Sequence, residues 1–300
     1  CIGHMLNGQP ISCIQRPETG RELTFGHLSP ASEKKKILVI GGGPAGMKAT
    51  AVAASRGHSV KLIEATSKLG GQVNLAERLP GRSEFGGIKT NLENMLRTQD
   101  VEIKLNTEAS LQLIREEAPE VIILATGGKS FEPKIEGKES AHVVTAWQLL
   151  EGKANVGSRV VIADWRCDWV GLGVAELLAR QGCHVRLACN GMVPGQTINQ
   201  YVRDNWLGTL HKLNVETLTH LRLRGVDSDD TYFQHTLSEQ PVILNDVDTL
   251  VTAFGSEATN TLEKDLRNKV QSELYVIGDA LSPRSVEEAI LDGLKTSAKI

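Results

Sequence analysis

Short apolar runs recur along the chain, each bounded by glycine or polar residues and most followed by a stretch of helical periodicity. The first run, 37–40, leads straight into Gly41-Gly42-Gly43-Pro44-Ala45-Gly46, and the Ala-rich stretch 47–55 suits a helix packed tightly on a sheet. Arg56-Gly57-His58 closes that helix and 59–64 is the next strand, completing one βαβ unit. The alternation goes on with a helix over 88–97, a strand over 101–105, a short helix over 109–117 and an apolar strand over 121–124. After a helix near 145–150, a second βαβ unit opens at 159–162, with its helix over 171–180 and its next strand over 185–187. Residues 215–245 suit a β-meander, the last strand is 274–277, and a helix starts near Val286. Residues 1–33, with Pro10, Pro17 and Pro30, lack this periodicity and read as an irregular extension. Strands alternating with helices predict an α/β fold whose parallel sheet is covered on both faces.

Composition narrows the picture. The chain has 300 residues, 40% hydrophobic and 23% charged, enough for a sizeable core and for two domains. Only 4% are aromatic, so that core is filled by Val, Ile, Leu and Ala, as in buried parallel strands. A net charge of -3 offers no general attraction to nucleic acid or an anionic membrane. No apolar run approaches the roughly 20 residues of a membrane-spanning helix, and no charged-then-apolar leader is visible. The five cysteines, Cys1, Cys13, Cys167, Cys183 and Cys189, are odd in number and predict reduced thiols in a cytoplasmic setting.

The first glycine loop stands where a dinucleotide would need it. Gly41 permits the tight turn off the strand, Gly43 lets backbone approach a pyrophosphate, and Gly46 lets the helix pack closely. The helix N-terminus then presents N–H groups and partial positive charge to phosphate. Glu64 ends the second strand, about 20 residues on, where a carboxylate accepts the ribose hydroxyls.

With this loop the chain resembles the glutathione reductase-like flavoproteins, which carry two Rossmann-like dinucleotide-binding domains, the second inserted in the first. Leu69-Gly70-Gly71-Gln72, Ala125-Thr126-Gly127, Pro133-Lys134-Ile135-Glu136-Gly137 and Gly278-Asp279-Ala280 carry the resemblance in that order. It implies an FAD or ADP site made by Gly41, Gly42, Gly43, Ala45, Gly46, Glu64, Gly71, Gln72, Arg82, Ala109, Thr126, Gly127, Gly278 and Asp279. Asp279 would hold the flavin ribityl or phosphate, and the loop at Gly71-Gln72 would line the flavin side.

Cys1 and Cys13, read by spacing alone, are two unrelated thiols. Together with Gly3, Pro10 and Gly20-Arg21-Glu22 they resemble the tail of a four-cysteine iron–sulfur motif. That motif belongs to the trimethylamine dehydrogenase and 2,4-dienoyl-CoA reductase family, including its dimethylglycine and N-methyl amino acid demethylase-like members. The resemblance implies that Cys1 and Cys13 are the third and fourth ligands of a [4Fe–4S] cluster, with an FMN-binding barrel upstream. The chain would then be the rear part of an oxidoreductase, holding none of its catalytic residues. The resemblance makes residues 1–33 the tail of the iron–sulfur motif and linker, 34–152 and 246–300 the FAD/ADP-binding domain, and 153–245 an inserted, degenerate NAD(P)-like domain.

The second glycine loop departs from the rule. After the strand comes Ala163-Asp164-Trp165-Arg166-Cys167-Asp168-Trp169-Val170-Gly171, in which only Gly171 keeps a glycine's place. Trp165 and Trp169 are expected to fill the pyrophosphate's space and Asp164 and Asp168 to repel it, with Arg166 a counter-charge. The strand after it ends at Asn190, with neither the acid for NAD nor the arginine for a 2′-phosphate. Within the family, this favours an amine dehydrogenase or N-demethylase passing electrons from FMN through the cluster to an electron-transferring flavoprotein. The alternatives are an NAD(P)H-dependent 2,4-dienoyl-CoA reductase-like enzyme and a non-redox ADP-binding docking module. A small-molecule substrate on the barrel and assembly as a homo-oligomer follow from the resemblance. His184, His211, His220 and His235 form no metal pattern, Asp227, Asp229 and Asp230 read as a solvated turn, and Glu287 and Glu288 need no role beyond the helix dipole.

Overall fold

A computed structural model of the chain describes residues 2–267 and 269–300. The strands are, in order, β1 (Lys36–Ile40), β2 (Ser59–Ile63), β3 (Val101–Lys104), β4 (Val121–Leu124), β5 (Gly128–Ser130), β6 (Val143–Thr145), β7 (Arg159–Asp164) and β8 (His184–Cys189). They continue with β9 (Glu216–Leu218), β10 (Leu221–Val226), β11 (Thr231–His235), β12 (Pro241–Leu244), β13 (Thr249–Ala253), β14 (Ser256–Ala258) and β15 (Glu273–Val276). The chain forms two compact units, one of Cys1–Asn74, Glu84–Lys129 and Glu257–Ile300, the other of Leu75–Ser83 and Ser130–Ser256. The short strands β5 and β14, where the chain passes from one unit to the other, pair as a two-stranded ribbon.

The first unit is built on a parallel sheet of order β15-β4-β1-β2-β3. Successive side chains of a strand point to opposite faces, and β1 shows the consequence. Ile37 and Val39 join one apolar cluster with Ile88, Leu92 and Leu96 of the helix Gly86–Arg97. Leu38 and Ile40 join another with Ile114 of the helix Leu111–Glu117 and Leu266 of the helix Thr261–Arg267. Both faces are therefore covered, as continuous apolar strands require. The helix Pro44–Ser55 is buried along most of its length, because alanines let its neighbours approach on every side. At Gly293 of the helix Val286–Ser297, a Cβ would stand 2.5 Å from the Ala45 carbonyl oxygen, and Ser297 donates to the Ala49 carbonyl at 2.9 Å.

The second unit repeats the plan with the order β6-β13-β7-β8-β9, all parallel. The helices Trp169–Arg180 and Gln200–Lys212 cover one face through Leu172, Leu178, Trp206 and Leu210. The antiparallel sheet β10-β11-β12 covers the other, bringing Leu221, Phe233 and Leu244 against Val161, Ala163 and Ala188. The meander read over 215–245 is thus shorter than expected, because residues 216–218 extend the parallel sheet beside β8. The unit runs over 75–83 and 130–256, because Leu79 joins its apolar cluster and β6 and β13 add to the β7 sheet.

The extension read as irregular contains two short helices, Ile2–Leu6 and Glu22–Phe25, and is anchored in the first unit. Lys48, buried in the Ala-rich helix, pairs with Glu18 at 2.7 Å. Among the described residues, no helix is long and apolar enough to cross a membrane.

Candidate functional site

The site in the first unit begins at the end of β1. Gly41 has φ +109°, and a Cβ there would lie 2.2 Å from the Ala125 carbonyl oxygen at the end of β4. A Cβ on Gly46 would lie 1.9 Å from the Gly41 carbonyl oxygen, so both positions exclude any side chain. At Gly43 the reason differs: a Cβ would meet no protein atom within 4 Å. Gly43 is the N-cap of the helix Pro44–Ser55, which starts on proline and has no side-chain cap. An uncapped helix start behind a glycine is the arrangement that suits phosphate.

Most of the expected partners gather around this loop, Ala109 and Arg82 apart. Gly42 donates its N–H to Glu64 at 2.7 Å, while the Thr66 N–H and hydroxyl donate to the other Glu64 oxygen at 2.8 and 2.7 Å. The carboxylate is thereby fixed at the end of β2, and Thr66 is a supporting residue that motif reading does not reveal. Gly70 donates to the Gly42 carbonyl at 2.9 Å, and a Cβ on Gly71 (φ +52°) would come within 3.1 Å of the Gly43 Cα. Gln72 donates to Asp279 at 2.9 Å, tying segments far apart in sequence into one rim. The other Asp279 oxygen accepts the Arg284 N–H at 3.1 Å. Gly278 has φ +61°, and a Cβ there would approach the Ala45 Cβ to 2.9 Å, which seats Asp279 by the first turn of the Ala-rich helix. Thr126 donates its hydroxyl to the Thr259 carbonyl at 2.6 Å, and Gly127 accepts the Thr259 N–H at 2.9 Å. Ala109 packs against the apolar cluster on the far face of the sheet, just after a segment that bonds back to Glu64 and Thr66. Arg82 belongs to the second unit, where its guanidinium lies 3.6 Å from the ring centre of Trp169 and 4.9 Å from that of Trp206.

Cys13 is a half-buried free thiol, and Cys1 lies outside the described residues. Among the described residues, no group of three or more His, Cys, Asp or Glu could hold a metal ion, so the residues present do not complete a four-thiolate set. Ser12, buried beside Cys13, donates its hydroxyl to Glu287, and His4 Nε2 lies 3.2 Å from the same carboxylate. Glu288 serves the capping box with Ser285, as the dipole reading requires, but Glu287 does more than that reading allows. It grips the cysteine-bearing segment, a pairing no local signal announces.

The loop after β7 is built in the opposite sense. Asp168 caps the helix Trp169–Arg180, accepting the Val170 N–H at 2.9 Å. Asp164 is buried, and a Cβ on Gly171 would stand 2.1 Å from its Oδ2. Asp164 Oδ1 accepts the Cys167 N–H at 2.8 Å, while Oδ2 has no hydrogen-bond partner. Burial, reinforced by Asp168 and Cys167, pushes this carboxyl well above the ordinary carboxylate range. The tryptophans do not fill the loop as expected. Trp165 turns outward and stacks on Phe254 at 5.9 Å, and Trp169 packs on Trp206 beneath Arg82, because large rings find apolar partners there. The carboxylates occupy the helix start instead, and Arg166 lies 3.6 Å from Asp168.

Comparison with known proteins agrees with this geometry. The chain is 29% identical to the N,N-dimethylglycine/sarcosine dehydrogenase of Chromohalobacter salexigens over 98% of its own length and 48% of the other. It is 32% identical to a metal reductase of Desulforamulus reducens, over 97% and 47% respectively. The chain thus spans about half the length of the curated relatives it matches. A 2-naphthoyl-CoA reductase in complex with 2-naphthoyl-CoA superimposes with a TM-score of 0.92 at 32% identity, over all of this chain and 45% of that one. Residues 35–293 match one family from the first sheet to the last helix, and the chain belongs to it: the pyridine nucleotide-disulphide oxidoreductases.

Proposed function

We propose that this chain is the FAD- or ADP-binding, electron-transfer region of an amine dehydrogenase or N-demethylase. The first unit is its nucleotide domain, and the second a Rossmann-like domain inserted within it that has lost its nicotinamide site. One contrast carries the reading: the helix Pro44–Ser55 starts without a side-chain cap, whereas Asp168 caps the helix Trp169–Arg180 and Asp164 backs it. The first end can take phosphate; the second already holds carboxylates.

The nucleotide's pyrophosphate would lie on the Gly43–Pro44 helix start, its ribose on Glu64, and a ribityl or phosphate group on Asp279. Bound FAD would supply reversible one- and two-electron chemistry. The protein's own part is to hold that group still: Gly42 and Thr66 orient Glu64, and Gln72 orients Asp279. In the whole protein Cys1 and Cys13 would be two of the four ligands of a [4Fe–4S] cluster, and an FMN would be held by residues outside this chain. An electron-transferring flavoprotein would be the acceptor, an N-methylated amine the substrate, and a cytoplasmic homo-oligomer the setting. The likeness to a 2-naphthoyl-CoA reductase supports a second reading, an enoyl-type reductase on the same scaffold.

The visible spectrum of the purified chain tests the assignment. A flavin spectrum with FAD released on denaturation is expected, and a colourless chain releasing ADP would confine it to a structural nucleotide. Glu64→Ala is expected to lower retained nucleotide at least tenfold; unchanged content would refute the ribose contact.

A further inference from the structure

β7 and β8 run side by side, with Asp164 opposite Cys189, on neighbouring strands about 4.8 Å apart. Beyond Asp164 the chain turns sharply, and Cys167 sits in the left-handed region with φ +49°. Its backbone is held from both sides: the N–H donates to Asp164 at 2.8 Å, and the carbonyl accepts the Thr197 N–H at 3.2 Å and hydroxyl at 2.9 Å. The thiol is therefore aimed rather than free to search. It lies 3.3 Å from the Asn190 Oδ1 and 3.0 Å from where a Gly191 Cβ would stand, while the Cys189 sulfur lies 3.7 Å from the Gly191 carbonyl oxygen. Both sulfurs thus rest against one glycine that has no side chain to part them.

We propose that Cys167 and Cys189 are a dithiol site that hydrogen peroxide oxidises to an intramolecular disulfide. The Cys167 thiolate attacks the peroxide oxygen, the O–O bond breaks, and the hydroxide that leaves is protonated to water, so Cys167 becomes a sulfenic acid. The Cys189 sulfur then attacks the Cys167 sulfur, the S–OH bond breaks, and the Cys189 proton leaves with the hydroxide as a second water. Two thiols are oxidised and one peroxide is reduced.

The surroundings assign the two roles. The Cys189 thiol beside it holds the Cys167 thiol down, to about 7, against its burial. Cys167 in turn, together with burial, pushes Cys189 up, which makes Cys167 the attacking sulfur and Cys189 the resolving one. Cys183 offers a contrast, since burial alone pushes it up. With Cys167 1% and Cys189 0% exposed, only a small oxidant reaches the pair. Closing the disulfide ties the loop before the helix Trp169–Arg180 to the end of β8.

Peptide mapping of the reduced chain after mild hydrogen peroxide, with free thiols alkylated in denaturant, tests the assignment. A Cys167–Cys189 linkage that dithiothreitol reverses is expected; it persists in Cys183→Ser and is absent from Cys189→Ser. In Cys189→Ser, the sulfenic acid is expected on Cys167, trapped by dimedone added in denaturant. If both thiols of the unmutated chain alkylate after excess peroxide, or the linkage runs through Cys13 or Cys183, the proposal fails. This outcome is independent of which nucleotide the first unit binds.

Discussion

Glu64 and Asp164 are two acids at the ends of inner strands, and their surroundings differ. Glu64 accepts three hydrogen bonds from the loop and turn beside it. Asp164 is sealed in, with one oxygen unpartnered, and stays protonated well above the ordinary carboxylate range. Its folded-state pKa is raised above the unfolded value near 3.8, so its favourable contribution is complete below that value and is lost as pH rises through the folded one. Asp164→Asn keeps an acceptor for the Cys167 N–H and removes the buried proton equilibrium. We expect it to be more stable than the parent at pH 7, with the advantage vanishing as pH falls towards 4; urea midpoints measured across that range would show it. An equal midpoint at pH 7 would mean that Asp164 costs the fold nothing. At this scale the first site was legible because backbone closeness forces its glycines, as at Gly41 and Gly46. Glu287 was not legible, because its partner Ser12 lies at the other end of the chain and only the fold brings them together.

At the scale of elements, the Ala-rich helix carries one charged side chain, Lys48, along its buried length. A lone lysine in such a run is a signal in itself, since a buried ammonium needs a partner, and Glu18 supplies it from the extension. Removing the partner leaves the charge stranded. Glu18→Ala should therefore cost about 3–5 kcal/mol of unfolding free energy, whereas Lys48→Met alone should be close to neutral. Adding Lys48→Met to Glu18→Ala should recover most of the loss, which denaturant unfolding of the four proteins would measure. A small, additive effect would show that the extension is held elsewhere. The elements that escaped reading have a common cause. The helix Gln200–Lys212 buries only Trp206 and Leu210 and β13 is a short run with two threonines, so neither has strong periodicity of its own.

Across the molecule, the two units share one plan, a five-stranded parallel sheet with a loop and helix after its third-ordered strand, yet differ at that loop. Gly41-Gly42-Gly43 meets Pro44 in one; Asp164 to Asp168 meets Trp169 in the other. A phosphate brought to contact distance of the Asp168 carboxylate would meet a repulsion of about 4 kcal/mol per unit charge near a protein surface, roughly a thousandfold in affinity. Asp164 adds bulk, because a Cβ on Gly171 would stand 2.1 Å from its Oδ2. On the proposed reading, the fold is kept where the nicotinamide site is not. Anaerobic NADH or NADPH should leave the flavin absorption of the purified chain unbleached, while dithionite bleaches it fully. Rapid bleaching by either nucleotide would show that the second loop opens, and would move this chain to the reductase branch of its family.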